Sequence, residues 1–447
     1  MNKLIIPIII VAVIAIGIGA FFVFQKPAFP EQLLTQKPVF QKPAFPEPPM
    51  EPQPPTDNCP QIMPPSPILK EQCEKDGGKL EPKKNEKGCV IGYECEKEVV
   101  APPTISTLSL LKKVDIENGA RPEVVATDNR VFVVYLDTST PQSSKFSVKI
   151  FDEDMNTEIA YKTLVTRSSE YGSPTDIRVA SDGNYVYAFY EAADLTAKKS
   201  YLFGAKYNLN DGFERVAYTD LIATSKSYGS HLPTDEHMDD PIVLISQNSV
   251  FSMTRILSSS AYTYVVREFD KNLNFKKSFN IELSSIAQSK GDYGQASAVY
   301  YNGYYYMVIP SMKGVASLDL FLVKLDMNWN IVDYRFISQS SKDEYFVTGM
   351  QVYRDYFFVV YKEGSIADAF SILKVFDNDF NEVISTTVKK VEVKGESLRP
   401  SLSVNNEKIL IGLPTGGGPP PMSSGSKTFG TGTGETRKAS IYIFEKK

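Results

Sequence analysis

Between residues 104 and 447 one pattern recurs six times: a strand, a tight polar turn and an aromatic-rich second strand. The copies read RPEVVATDNRVFVVYLD at 121–137, TDIRVASDGNYVYAFYE at 175–191, DPIVLISQNSVFSMTR at 240–255, QASAVYYNGYYYMVIP at 295–310, FVTGMQVYRDYFFVVYKE at 346–363 and RPSLSVNNEKILIGLP at 399–414. Short alternating apolar runs punctuated by Asn, Gly and Asp mark an all-β chain, and a regular recurrence of such units marks a repeat architecture.

A third strand and its turn recur as well, as FSVKIFDEDMN, VVREFDKNLN, LVKLDMNWN and ILKVFDNDFN, with a looser AKYNLNDG at 205–212. The shared element, Asp-x-(Asp/Asn)-x-Asn, is turn chemistry: these side chains bond nearby backbone and tolerate left-handed conformations. The Gly and distal Glu of an EF-hand calcium loop are missing. The sixth copy ends in ASIYIFEKK, a third strand with nothing after it, whereas TISTLSLLKKVDI at 104–116 precedes the first copy and reads like the fourth strand TEIAYKTLV at 157–165. Closing the ring with that amino-terminal strand removes the open edges. The expectation is a six-bladed β-propeller over 104–447; an open solenoid or a pair of β-sandwiches is the alternative.

The RP-x-hydrophobic openings resemble those of sialidase-like and related six-bladed propellers over about 340 residues. The sialidase Asp-box, Ser-x-Asp-x-Gly-x-Thr-Trp, is absent, although the Asp-x-(Asp/Asn)-x-Asn turns stand at its place, and a single tryptophan excludes WD-type blades. A likeness of fold transmits no activity.

Inner strands of a propeller begin near one mouth of its channel, which nominates Arg121, Asp176, Asp240, Gln295, Glu344 and Arg399 as ligand-binding residues. Closure makes the copies of Arg121 and Arg399 neighbours, able to grip a carboxylate or to form salt bridges between blades. Both histidines of the chain, His231 and His237, fall in one acidic loop with Asp235 and Asp239. That quartet is a solvated loop or a divalent-metal site of imidazole and carboxylate ligands. No cofactor is otherwise implied. The segment GLPTGGGPPPMSSGSKTFGTGTGETRK lacks a P-loop spacing. No residue is assigned as catalytic.

The first hundred residues are of a different kind. Residues 4–24 are uncharged and span roughly 30 Å as a helix, enough for a single membrane crossing; a cleaved signal peptide is the alternative. Residues 25–58 hold ten prolines and repeat QKPAFPE, the composition of an extended spacer. All four cysteines, Cys59, Cys73, Cys89 and Cys95, crowd into 59–97 with no CxxC knuckle, so two disulfides are expected rather than zinc, with three connectivities open. The segment resembles small four-cysteine modules of exported prokaryotic proteins. The expected organisation is a transmembrane signal-anchor (1–24), a Pro-rich linker (25–58), a disulfide module (59–97) and the propeller (104–447).

A net charge of −5 lacks the basic excess that nucleic-acid binding needs. Taken together, the segments describe a membrane-anchored, extracytoplasmic propeller that binds a protein or glycan. A glycan-acting hydrolase using the channel mouth and an envelope assembly scaffold are the alternatives.

Overall fold

The computed structural model of the chain describes residues 62–75, 78–97, 105–139, 145–166, 168–194, 197, 199–219, 221–225, 236–257, 262–288, 295–313, 317–338, 340–365, 368–390, 399–405, 408–415 and 438–446. The chain divides into two compact units, 1–98 and 99–447. The expected membrane span at 4–24, the linker at 25–58 and Cys59 lie outside the described residues. Among the described residues no helix is long and apolar enough to cross a membrane.

The first unit contains a helix, Pro67–Lys75, and an antiparallel hairpin of Gly78–Lys84 with Val90–Lys97. Ser66 caps the helix, its Oγ accepting from the Leu69 amide at 3.2 Å, and Pro67 occupies the first helical position, where no amide donor is needed. In the hairpin turn Asn85 Oδ1 accepts from the Lys87 and Cys89 amides, each at 3.0 Å, and Gly88 supplies φ +79°. A Cys73–Cys95 disulfide, with Cα atoms 5.6 Å apart, ties helix to hairpin, and Cys89 is disulfide-bonded too.

The second unit is a six-bladed β-propeller. The first five blades, from inner to outer strand, begin with Gly119–Ala126, Ser173–Ser181, Glu236–Ile245, Ser297–Tyr301 and Glu344–Tyr353, each followed by its next strands in antiparallel order. The sixth runs Ser401–Val404, Lys408–Thr415, Lys438–Lys446 and then Leu108–Glu117, so the amino-terminal strand completes the last sheet. The second blade carries an additional short strand, Ala223–Ser225, paired to its third strand.

Why the second strands are apolar throughout follows from the two-residue period of a strand. In Arg130–Asp137, Phe132 and Val134 pack with blade 2 residues such as Ile177 and Tyr190, whereas Val131, Val133 and Tyr135 pack with blade 6 residues such as Leu410 and Ile441. Blades 2 and 3, 3 and 4, 4 and 5, and 5 and 6 share equivalent cores. The ring is therefore closed by packing as well as by hydrogen bonds.

The Asp-x-(Asp/Asn)-x-Asn turns do more than reverse the chain. Asp270 Oδ1 accepts from the Asn272 and Asn274 amides at 2.8 and 2.9 Å while Oδ2 accepts from Asn274 Nδ2 at 2.8 Å, and Asp326 and Asp377 make the same set. This scaffold holds the fourth residue of each turn at positive φ: Met155 (53°), Leu273 (65°), Trp329 (67°) and Phe380 (58°), with Phe213 (66°) in the looser second copy. A bulky residue in that region is strained. Each of these side chains plugs the seam to the preceding blade: Phe213 lies 5.4 Å from Phe132, Trp329 5.1 Å from Phe251 and Phe380 5.6 Å from Tyr306.

Candidate functional site

The inner strands of all six blades enclose a central cavity of about 390 Å³. The residues of its wall are mostly small and apolar but leave more polar than apolar surface facing the cavity, and a β-carbon on Gly349 would lie 2.7 Å from Leu402 Cβ, which shows how closely neighbouring inner strands approach. Two charged side chains interrupt that wall. Arg178 Nη1 lies 2.6 Å from Glu123 Oε1, and both residues are buried. Burial pushes the Glu123 carboxyl up to about 7, with Asp176 adding to the rise, against the opposing pull of Arg178.

Asp176, 1% exposed, sits where the inner strand of blade 2 begins. Arg121 of blade 1 forms an ion pair with its Oδ2, and Arg399, which leads into blade 6, places Nη1 3.3 Å from the same oxygen. Arg121 Nη1 also donates to the Thr175 carbonyl at 2.9 Å. Both arginine side chains are partly exposed, at 34% and 19%. With Arg178, Glu123 and Glu191, which stands opposite Asp176 in the blade 2 sheet and accepts from Thr175 Oγ1, the cluster gathers three arginines and three carboxylates.

The backbone is shaped for this arrangement. Arg121 has φ 49° within a register shift between Ala120 and Glu123. Phe346 has φ 51° within a shift between Tyr345 and Gly349, and the Arg399 guanidinium lies 5.4 Å from its ring centroid. Bulges of this kind re-aim side chains, and strained positions concentrate at functional sites.

Of the six mouth residues proposed from the sequence, Arg121, Asp176 and Arg399 converge, and Gln295 lines the central cavity. Glu344 is engaged elsewhere. It is fully buried, with Oε1 accepting from Tyr361 Oη at 3.0 Å and from Lys374 Nζ at 3.2 Å, and Oε2 accepting from the Leu320 amide of blade 4 at 3.0 Å. It ties blade 5 to blade 4. Asp240 and Asp239 lie in the strand Glu236–Ile245 with His237, whose backbone pairs with Arg255. The side chains of those three, and all of His231 and Asp235, lie outside the described residues, as does the proposed metal quartet with them.

Glu123, Arg178 and Phe346 are the cluster members that the sequence reading passed over. The signal was present: Glu123 follows Arg121, and Arg178 follows Asp176, at a spacing of two, so each pair belongs to one strand face unless a bulge intervenes. A charge inside an otherwise apolar inner strand is the mark to search for.

No family model matches the chain, and no curated protein matches it. Among solved structures it is similar to a GH43 endo-arabinanase from Bacillus licheniformis, with 13% identity, 59% of this chain and 97% of that one covered, and a TM-score of 0.35. It is also similar to an alpha-L-arabinofuranosidase from Lactobacillus brevis, with 10% identity, 61% and 90% coverage and a TM-score of 0.35.

Proposed function

We propose that the protein is a surface-displayed binding module whose propeller recognises carboxylate groups of a protein or glycan at the channel mouth. The observation that carries this reading is the convergence of Arg121 and Arg399, both partly exposed, on one buried aspartate. The planar guanidinium fork matches the geometry of a carboxylate, which suits paired arginines to recognising one. Display outside the cell is supported by the uncharged stretch at 4–24, the Pro-rich stretch at 25–58 and the Cys73–Cys95 disulfide, which suits an oxidising compartment. The test is binding of the full chain to arrays of uronate-bearing glycans, neutral glycans and acidic peptides. Acid-selective binding that is lost or weakened in Arg121→Met/Arg399→Met supports the reading, and acid-selective binding undiminished by the double substitution rejects it.

A second reading is glycan hydrolysis. It is favoured by Glu123, a buried channel carboxyl pushed up to about 7, placed near Asp176, which is paired to two arginines. Carboxyls in contrasting surroundings are what acid and base roles require. Release of reducing sugar that is lost in both Glu123→Gln and Asp176→Asn supports it, and retained turnover in either variant rejects it.

A further inference from the structure

A second cavity, of about 610 Å³, opens at the other end of the inner strands, where the turn Asp182–Tyr185 of blade 2 meets the turn Ser246–Gln247 of blade 3 and Tyr300 of blade 4. Two lysines line it. Lys206 is only 7% exposed, and no carboxylate among the described residues forms an ion pair with it. Its Nζ instead sits 3.9 Å from the Tyr185 ring centroid and 5.6 Å from that of Tyr187. Lys271, from the 3–4 turn of blade 3, places Nζ 5.6 Å from the Tyr187 ring centroid and 3.5 Å from Asp182 Oδ2.

Blade 4 provides an internal control. Lys324 lies over Tyr304 at 4.0 Å and Tyr306 at 5.5 Å, nearly the same geometry, so a lysine laid across two second-strand tyrosines is a structural habit of this propeller. There, however, the lysine is only half-buried, and residue 378, at the turn position that Lys271 occupies in blade 3, is an asparagine. Among the described residues, the junction of blades 2 and 3 is where a second ammonium joins a nearly fully buried first one, with Asp182 paired to the second. Cation–π contact offsets part of the cost of burying an ammonium but not all of it. Burial lowers the Lys271 ammonium, and Lys206 lowers it further against the pull of Asp182. The residues lining the cleft thus carry two ammonium groups against one carboxylate, with Tyr185, Tyr187 and Tyr300 among them.

We propose that this cleft is a binding site for an anionic saccharide, with the acidic group held by Lys206 and Lys271 and the sugar ring laid against Tyr185 and Tyr300. The site is independent of the channel mouth: the cluster around Asp176 belongs to the beginning of the blade 2 strand, whereas Asp182 follows its end. A neutral sugar would satisfy the rings but leave the buried charge unmatched, and a bare anion would match the charge but leave the tyrosine walls uncovered.

The test is calorimetric titration of the full chain with trigalacturonate, with neutral galactotriose and sodium acetate as comparators. Trigalacturonate is expected to bind about tenfold or more tightly than either comparator, and Lys206→Met, which keeps the aliphatic stem, to weaken it by about the same factor. Asp182→Asn, which removes the competing carboxylate, is expected to tighten binding severalfold, an effect that a purely structural role would not produce. Arg121→Met/Arg399→Met leaves this binding in place. Equal binding of galactotriose, or trigalacturonate binding unchanged in Lys206→Met, overturns the proposal. Should Lys206→Met not fold, Lys271→Met replaces it, and unchanged binding there is equally fatal.

Discussion

Trp329 stacks on Tyr305 with ring centroids 4.1 Å apart and planes 15° from parallel. The tryptophan reaches this position only because its backbone is held at φ 67°, and its far side meets Phe251 and Phe279 of the preceding blade. Strain at a left-handed residue costs about 1–3 kcal/mol, and loss of a packed aromatic costs about 3–5 kcal/mol. The packing gain therefore outweighs the strain. Trp329→Gly, which relieves φ but empties the seam, is expected to destabilise the propeller by about 1–3 kcal/mol in urea unfolding. A variant as stable as the parent would show that the plug contributes nothing. Because Trp329 is the single tryptophan, the parent's emission reports directly on the seam between blades 3 and 4.

The plug also shows where sequence reading reached and where it stopped. The Asp and Asn positions of the turns were legible because their spacing is fixed by backbone hydrogen bonds. The plug between them was not, because Met155, Leu273, Trp329 and Phe380 share bulk and not identity. Six blades and their closure by the amino-terminal strand were readable from the orphaned third strand at the carboxyl end. Glu344 differs for a related reason: its place at the head of an inner strand predicts the channel mouth, yet the register shifts after Tyr345 and the carboxylate accepts from the Leu320 amide of blade 4. Bulges have no reliable sequence mark, and they decide which way each mouth residue faces.

Asp176 is the shared counter-ion of Arg121 and Arg399, so Asp176→Asn leaves two guanidiniums facing one neutral amide. Since both arginines retain some solvent, the cost lies below that of a fully buried broken pair, at about 2–4 kcal/mol. Thermal unfolding of Asp176→Asn is expected to be lowered accordingly, and the triple variant Asp176→Asn/Arg121→Met/Arg399→Met to recover part of the loss. A triple variant no more stable than the single one would mean that the aspartate acts through packing and not through charge.

Glu123 makes stability depend on pH in a defined direction. Its carboxyl is raised in the folded chain from an ordinary value of 4.5 to about 7, so the native state holds a proton that the unfolded chain releases. The stabilisation is complete below about pH 4.5 and is lost as pH rises through about 7. Glu123→Gln mimics the protonated acid, and its melting temperature should fall less between pH 5 and 7.5 than that of the parent. Parallel profiles for the two proteins would assign the pH dependence to other groups.

The turn aspartates act in the opposite sense. Hydrogen bonds from Asn330, by side chain and amide, hold the Asp326 carboxyl below its ordinary value of 3.8, and Asn274 does the same for Asp270. A group lowered on folding contributes stability that is fully present above the unfolded value and is lost as pH falls through the folded one. Asp326→Asn keeps an acceptor for the Asn328 and Asn330 amides but loses the charge, whereas Asp326→Ala loses both. At pH 7 the order of melting temperatures is expected to be parent, then Asp326→Asn, then Asp326→Ala. As pH falls through the lowered folded value the parent and Asp326→Asn should converge while the alanine variant stays lower, because only the acceptor geometry then remains to hold Trp329 in its seam. Persistence of the full gap between parent and Asp326→Asn at that pH would show that the ionised form is not what the turn selects.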